Sequence, residues 1–88
     1  MDKTFTLQIL TPKKKVFSGP VHSLVAPGAL GYLGVWANHA PLITTLTPGK
    51  ITFRDTTAQT KTLRSHAEGL LEVYHNQATL LVDEIEEG

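Results

Sequence analysis

An all-β fold, either a sandwich or a barrel, is what the sequence predicts. In most segments apolar and polar residues alternate with a period of two, which is typical of strands with one buried face. Turn signals recur at spacings of about eight to twelve residues, and no segment has a convincing helical period. With 88 residues, of which 41% are hydrophobic, the chain is long enough for one small domain with its own core.

The N-terminal part of the chain predicts two strands joined by a turn. In "TFTLQIL" every second residue from Phe5 to Ile9 is apolar. Pro12 interrupts the pattern because proline removes a donor from the ladder, and the tripeptide Ser18–Pro20 predicts a turn. After it, "VHSLVA" predicts a long second strand in which every second residue from Val21 to Val25 shares one face.

The rest of the chain predicts further short strands at "YLGVW", "LITTL", "KITFRD", "TKTLRSHA", "LLEVY" and "QATLLVDEI". Gly34, in the middle of the first of these, predicts a bulge or the close approach of another group to the backbone. The tail "DEIEEG" is the only place where a helix could begin, because acidic residues suit the first turn of a helix. The chain ends before such a helix could develop.

Composition and charge exclude several classes of protein. There is no cysteine, which excludes disulfides and thiolate chemistry. No apolar run reaches the length of about 18 residues that a membrane span needs, and the N-terminus lacks the apolar core of a signal peptide, so we expect a cytosolic or cytosol-facing protein. Residues 1–66 carry a net charge of +6 and residues 67–88 a net charge of −6. The basic cluster Lys13–Lys15 has only Phe17 beside it, so nucleic-acid binding is not predicted.

The segment "GALGYLGVWANHAP", residues 28–41, raises the question of what its glycines do. Their spacing differs from that of the dinucleotide fingerprint, and no Gly-Lys-Ser/Thr follows as in a P-loop, so a nucleotide site is not predicted. Leu30, Tyr32, Leu33 and Trp36 stand between and after the glycines. We interpret the segment as an interaction loop that displays apolar side chains, some of which belong to the core.

Neither a metal site nor a catalytic site is predicted. No two of the four histidines are closer than nine residues, whereas zinc sites usually contain a short-spaced pair of ligands. No serine lies in a nucleophile elbow. We therefore expect no cofactor and no catalytic activity of its own. The residues leave two functions open, an interaction module of a larger assembly and a stand-alone β-sandwich ligand- or protein-binding module.

A series of short motifs points to one family. The motifs are Phe17–Gly19 before a strand, Gly31–Gly34, His39–Leu42 ("HAPL"), Leu46–Gly49 ("LTPG") and Gly69–Val73 ("GLLEV") with "ATLLVD" after it. Each is weak alone, but in this order, over essentially the whole chain, they are specific. The sequence resembles the N-terminal domain of the epsilon subunit of F-type ATP synthases, which is called delta in mitochondria.

The resemblance implies a fold, a function and partners. Residues 1–88 would form one domain, a flattened β-sandwich of about ten strands. The protein would be a non-catalytic rotor subunit that links the gamma subunit to the membrane-embedded c-ring and helps couple proton translocation to ATP synthesis. It would lie at the cytoplasmic face of the bacterial inner membrane as a peripheral protein, with no nucleic acid and no small-molecule substrate of its own.

The resemblance also implies contact residues. The residues expected at the c-ring are Ala29, Leu30, Gly31 and Tyr32, and those expected at gamma are Thr11, His39 and Thr44. Some members of the family carry an acidic residue where this chain has Tyr32, so stacking on an arginine would replace an ion pair there. Family members usually continue into a pair of C-terminal helices, and we expect no such helical hairpin in this 88-residue sequence.

Overall fold

The computed structural model describes residues 3–87, which form nine strands and no helix. The strands are β1 (Phe5–Leu10), β2 (Lys15–Gly28), β3 (Gly31–Trp36), β4 (Leu42–Leu46), β5 (Gly49–Asp55), β6 (Thr60–Ser65), β7 (Gly69–Tyr74), β8 (Gln77–Val82) and β9 (Ile85–Glu87). The predicted all-β sandwich is confirmed, with nine strands in the described residues where the resemblance implied about ten. The molecule is flattened, with extents of 36 × 25 × 21 Å.

Strand β2 organises the fold because its 14 residues are enough to pair with different strands along its length. Its first half pairs with β1, and its second half lies between β3 and β5. Beyond β1 follow β8, β7 and β4, with β1 and β8 parallel, and beyond β5 follow β6 and β9. We call β1, β8, β7 and β4 the first sheet, and β3, the second half of β2, β5, β6 and β9 the second sheet.

The turn predicted at Ser18–Pro20 is wrong, because β2 continues through these residues. Pro20 lies opposite Thr6 of β1. The N–H of Thr6 points away from β2 and donates to the carbonyl oxygen of Asn76, at 3.2 Å. Thr6 and Pro20 are therefore a pair that exchanges no hydrogen bonds across the β1–β2 ladder. Because no N–H is required of β2 at this position, a proline is accommodated there.

The face predicted for the second half of β2 is also wrong. The pairing of β2 with β5 shifts in register between Val21 and Ser23, and such a bulge changes which side chains point inward. After the shift Leu24 and Ala26 are fully buried, whereas Ser23 and Val25 are only half-buried. The alternation visible in the sequence thus holds on each side of the bulge but not across it.

The core lies between the two sheets and is almost wholly apolar. Its largest fully buried side chains are Leu7, Ile9, Leu24, Leu46, Ile51, Leu71, Leu80, Val21 and Val35. Burial of a side chain of this size contributes about 1.5–3 kcal/mol to the free energy of unfolding. Among the described residues Ser65 is the one buried polar residue, and its hydroxyl donates to the carbonyl oxygen of Ala67 at 2.8 Å.

The acidic tail is a strand and does not begin a helix. Residues Ile85–Glu87 form β9, which pairs antiparallel with β6. Ile85 packs against the core, and the carboxylate of Glu86 is 2.9 Å from Nε2 of His66. The packing of the partly buried Ile85 and the contact of Glu86 with His66, directly after β6, outweigh the weak preference of acidic residues for a helix start.

Candidate interaction surfaces

The hairpin between β2 and β3 carries the residues expected at the c-ring. Gly28 and Gly31 are paired across the hairpin, so Ala29 and Leu30 alone form its turn. Gly31 has a φ of 124°, a conformation that favours glycine because side chains of other residues rarely adopt it. Leu30 is completely exposed. The structure thus places Leu30 at the tip of a tight turn, as a display loop requires.

Tyr32 lies along the surface of the second sheet and does not extend from the tip. Its hydroxyl accepts a hydrogen bond from the backbone N–H of Lys50, at 3.0 Å. A Cβ on Gly49 would stand 2.8 Å from that hydroxyl, so the tyrosine occupies the space that the glycine leaves open. The side chain is still 61% exposed, and its ring is therefore available to a partner while its hydroxyl is already bonded.

Trp36 occupies the outer face of β3 in a similar way. A Cβ on Gly34 would lie 2.5 Å from two ring carbons of Trp36, and the pairing of β2 with β3 has no register shift. Of the two predictions for Gly34, a close approach is therefore correct and a bulge is not. The ring is 59% exposed, so Trp36 is not one of the core residues of the loop.

His39 lies in the turn between β3 and β4 and is half-buried. Its Nδ1 donates to the carbonyl oxygen of Ala40 at 2.7 Å. The turn is attached to the next hairpin, because the side-chain oxygen of Asn76 accepts the backbone N–H of Asn38 at 2.7 Å. Nδ2 of Asn76 also donates to the carbonyl oxygen of Thr4, at 3.0 Å. The backbone beside His39 is thus held by one hydrogen bond to Asn76, whose side chain is itself fixed by its bond to Thr4.

The three residues expected at gamma are not brought together. Because β1, β8 and β4 run in the same direction, Thr11, which follows β1, lies at one end of the first sheet, and His39, which precedes β4, lies at the other. Thr44 is on β4 between them and is half-buried. The hydroxyl of Thr11 accepts the N–H groups of Lys13 and Lys14, at 3.3 and 3.2 Å, and closes the basic turn.

An apolar strip on the outer face of the first sheet was missed by sequence reasoning. Leu10, Leu81 and Leu70 are neighbours across β1, β8 and β7, and Leu70 and Leu81 are 36% and 46% exposed. They line a groove of about 400 Å³ that Thr11 also borders. The sequence did carry a signal for this strip, the doubled leucines in "GLLEV" and "ATLLV". Two consecutive leucines place an apolar side chain on each face of a strand, and strands with two apolar faces are usually buried on both.

The described residues contain no cluster of three or more His, Asp or Glu side chains that could hold a metal ion. Within residues 3–87 no helix has the length and apolarity needed to cross a membrane.

Comparisons with known proteins agree with this geometry. Residues 4–88 match the family model described as the beta-sandwich domain of the ATP synthase delta/epsilon chain. An ATP synthase epsilon chain of Chlorobaculum tepidum is 42% identical over 84 residues, which cover 96% of this chain and 94% of that protein. The epsilon chain of Pelotomaculum thermopropionicum is 45% identical over 86 residues, but there the chain spans 62% of the relative's length. The epsilon chain of Protochlamydia amoebophila is 44% identical, and this chain spans 55% of its length.

Solved structures with the same fold come from mitochondrial ATP synthases. A chain in the cryo-EM structure of the Euglena gracilis enzyme (OSCP, F1 and c-ring) superposes on 96% of this chain with a TM-score of 0.89 and 16% identity. A chain in the cryo-EM structure of the central stalk and c-ring of the Tetrahymena thermophila enzyme superposes on 98% of this chain, with a TM-score of 0.80 and also 16% identity. This chain spans 53% and 68% of them, and at such identities the likeness shows the fold alone. On the family match and the epsilon-chain relatives, the chain belongs to the ATP synthase delta/epsilon family, whose beta-sandwich domain it contains.

Proposed function

We propose that the chain is a non-catalytic rotor subunit in the central stalk of an F-type ATP synthase. It connects the gamma subunit to the c-ring and helps couple proton translocation to ATP synthesis. The observation that carries this proposal is the match to epsilon chains, one of which the chain covers over 94% of its length. The protein is a peripheral component of F1 at the cytoplasmic face of the bacterial inner membrane.

The β2–β3 hairpin is the part of the molecule that meets the c-ring in this proposal. Its turn is only two residues long and ends in the exposed side chain of Leu30. The pairing of Gly28 with Gly31 holds that side chain at the end of a two-stranded ladder. A rigid tip can transmit a rotation from the ring, whereas a flexible loop would absorb it.

The outer face of the first sheet is the part that meets gamma. In the apolar strip Leu70 and Leu81 are exposed and Leu10 is half-buried, and such a strip on a small domain usually marks an interface. Thr11 borders the groove beside it. Because the expected gamma contacts span the length of the sheet, the partner is an elongated element such as a coiled coil.

Co-purification tests the proposal. The affinity-tagged chain is expressed in its own host and recovered in a detergent that preserves ATP synthase. We expect gamma and c-ring subunits to co-elute in fixed ratio with the chain. A stand-alone β-sandwich binding module would bind neither gamma nor the c-ring. Recovery of the folded chain without gamma therefore contradicts the proposal.

A further inference from the structure

The outer face of the second sheet collects cations that are far apart in the sequence. The registers of β3, β2, β5 and β6 bring every second residue of the ranges 23–27, 32–36, 50–54 and 60–64 to this side. We call this surface the cationic face. It includes Lys50, Arg54 and Arg64, all exposed, and no Asp or Glu.

The three cations have no acidic partner among the described residues. The ion pairs within 4.0 Å involve Lys14 and His66 instead. Glu86 lies opposite Arg64 on β9, but its carboxylate is bonded to His66 at 2.9 Å. Among the described residues the cationic face therefore presents three positive charges without an ion pair of their own, although the chain as a whole has no net charge. Carboxylates border it at the β9 edge, where Glu86 and Glu87 line a groove together with Lys50 and Arg64.

Two aromatic rings belong to the same face and keep it flat. Trp36 lies over Gly34, and Tyr32 lies over Gly49 with its hydroxyl bonded to Lys50. A shallow groove of about 270 Å³ separates Trp36 from Arg54. Tryptophan, tyrosine and arginine are the residues that most often carry the binding energy of protein interfaces.

We propose that the cationic face binds an acidic segment of another protein. Carboxylates of that segment pair with Lys50, Arg54 and Arg64, and an apolar side chain of the segment lies in the groove against Trp36. Four strands and five residues along each define a patch of roughly 14 Å in each direction. A patch of this size accommodates a single helix or extended segment and is too small for a whole domain.

Charge and shape favour a protein segment over other anionic partners. Three cations can neutralise at most about three phosphates, which gives little affinity for a nucleic acid. The rings of Tyr32 and Trp36 lie against glycines, whereas insertion into a lipid surface needs apolar side chains that project from the protein. An acidic segment needs only what the face presents, separate cations that flank an apolar groove.

The test uses the isolated full chain, so its result does not depend on gamma or the c-ring. The ¹⁵N-labelled chain is titrated with a 12-residue peptide of three Glu-Glu-Leu-Gly repeats, followed by NMR. We expect shift changes at the backbone amides of the cationic face and at the indole N–H of Trp36. The matched peptide with Gln in place of every Glu should bind at least about tenfold more weakly.

Two charge-reversal variants of the same hairpin provide the control. Arg54→Glu should weaken binding at least about tenfold, whereas Lys61→Glu, on the opposite side of the same sheet, should change it less than about twofold. Thermal melts verify folding, and Arg54→Gln replaces Arg54→Glu if the latter unfolds. The proposal is overturned by shifts centred on Lys13–Lys15, by absence of shifts at about 2 mM peptide, or by tighter binding of oligouridine or of phosphatidylglycerol vesicles.

Discussion

Glycine at position 34 matters for the space it leaves and not for the backbone angle it adopts. Among the described glycines only Gly31 has a positive φ, whereas Gly34 lies in a regular strand under the ring of Trp36. The sequence shows that a glycine interrupts "YLGVW", but not which side chain will fill the gap. That choice depends on the rotamer of Trp36, which the pairing with β2 and the packing around it determine.

A double-mutant cycle checks this contact. Gly34→Ala should lower the free energy of unfolding by about 1–3 kcal/mol, because the new methyl group overlaps the ring of Trp36. In a Trp36→Ala background the same change should cost at least about 1 kcal/mol less. Gly19→Ala is the control, since its Cβ would lie at an ordinary 3.6 Å from the ring of Phe17. Equal costs of Gly34→Ala in both backgrounds, measured by urea unfolding, would show that the ring is elsewhere.

Tyr32 provides a second test at the scale of one residue. If its ring contacts the c-ring by stacking, Tyr32→Ala should loosen attachment to ring-containing membranes, whereas Tyr32→Phe, which keeps the ring, should not. Attachment of the natural chain should weaken only mildly as salt rises, since screening acts on charges. Binding is measured across a salt series, beside melts of the isolated variants. Unchanged binding of Tyr32→Ala would remove this residue from the contact.

The β5–β6 hairpin shows how one carboxylate can shape an element. Oδ1 of Asp55 accepts the hydroxyl of Thr57 at 2.7 Å and the N–H groups of Thr57 and Gln59 at 2.9 and 3.1 Å. These bonds, the one from the Thr57 hydroxyl above all, lower the pKa of Asp55 below its usual value. They close a turn that lacks the favoured Asn-Gly pair and in which Ala58 has a φ of 66°.

Stability should therefore depend on the charge of Asp55. Because its pKa is lower in the folded chain, the carboxylate stabilises the fold above its unfolded pKa of about 3.9, and this contribution is lost as pH falls through the folded value. Asp55→Asn should unfold at lower urea than the natural chain at pH 7, and the difference should shrink at acidic pH. NMR titration of Thr57→Val should show the pKa of Asp55 moving back upward. A difference in urea unfolding between Asp55→Asn and the natural chain that stays the same at all pH values would contradict this account.

The strands were predictable where one face meets the core and one meets solvent. In β1 and β5 the alternation of apolar and polar residues in the sequence matches the burial: every second residue from Phe5 to Ile9 is buried, and so are Ile51 and Phe53. The alternation pattern failed in β2, where pairing with strands distant in the sequence decides whether the strand continues and which face is buried. Pro20 is tolerated in β2 only because the N–H of Thr6 points toward β8, and no local pattern contains that information.

At the scale of the whole molecule, the order of family motifs identified the family and the fold, but not how the surfaces are arranged. The three residues expected at gamma extend along the first sheet. The doubled leucines indicated the apolar strip beside Thr11 but not which leucine of each pair is exposed, since Leu70 and Leu71 are both apolar while only Leu71 is buried. Similarly, the cationic face combines residues from four strands. Surfaces of this kind depend on register, which sequence patterns do not specify.

A charge in the turn before β4 should impair gamma binding without unfolding the chain. His39→Glu places a carboxylate at a half-buried position, and an unpaired charge in an interface costs several kcal/mol. Gln59→Glu, which adds the same charge in the exposed β5–β6 turn, is the control and should bind gamma normally. Both are measured by titration of purified gamma beside thermal melts. A change of less than about 0.5 kcal/mol for His39→Glu would mean that this residue only shapes its turn.

The central claim is that this chain couples the rotation of the ring to the synthesis of ATP. The most direct measurement uses inverted membranes from a host strain that lacks the chain, supplied with a proton gradient. We predict that the purified chain binds to these membranes in a saturable manner and restores ATP synthesis in proportion to the amount bound, while the heat-unfolded chain does neither. Full ATP synthesis by the membranes without the chain, or saturable binding that leaves synthesis absent, would contradict the account.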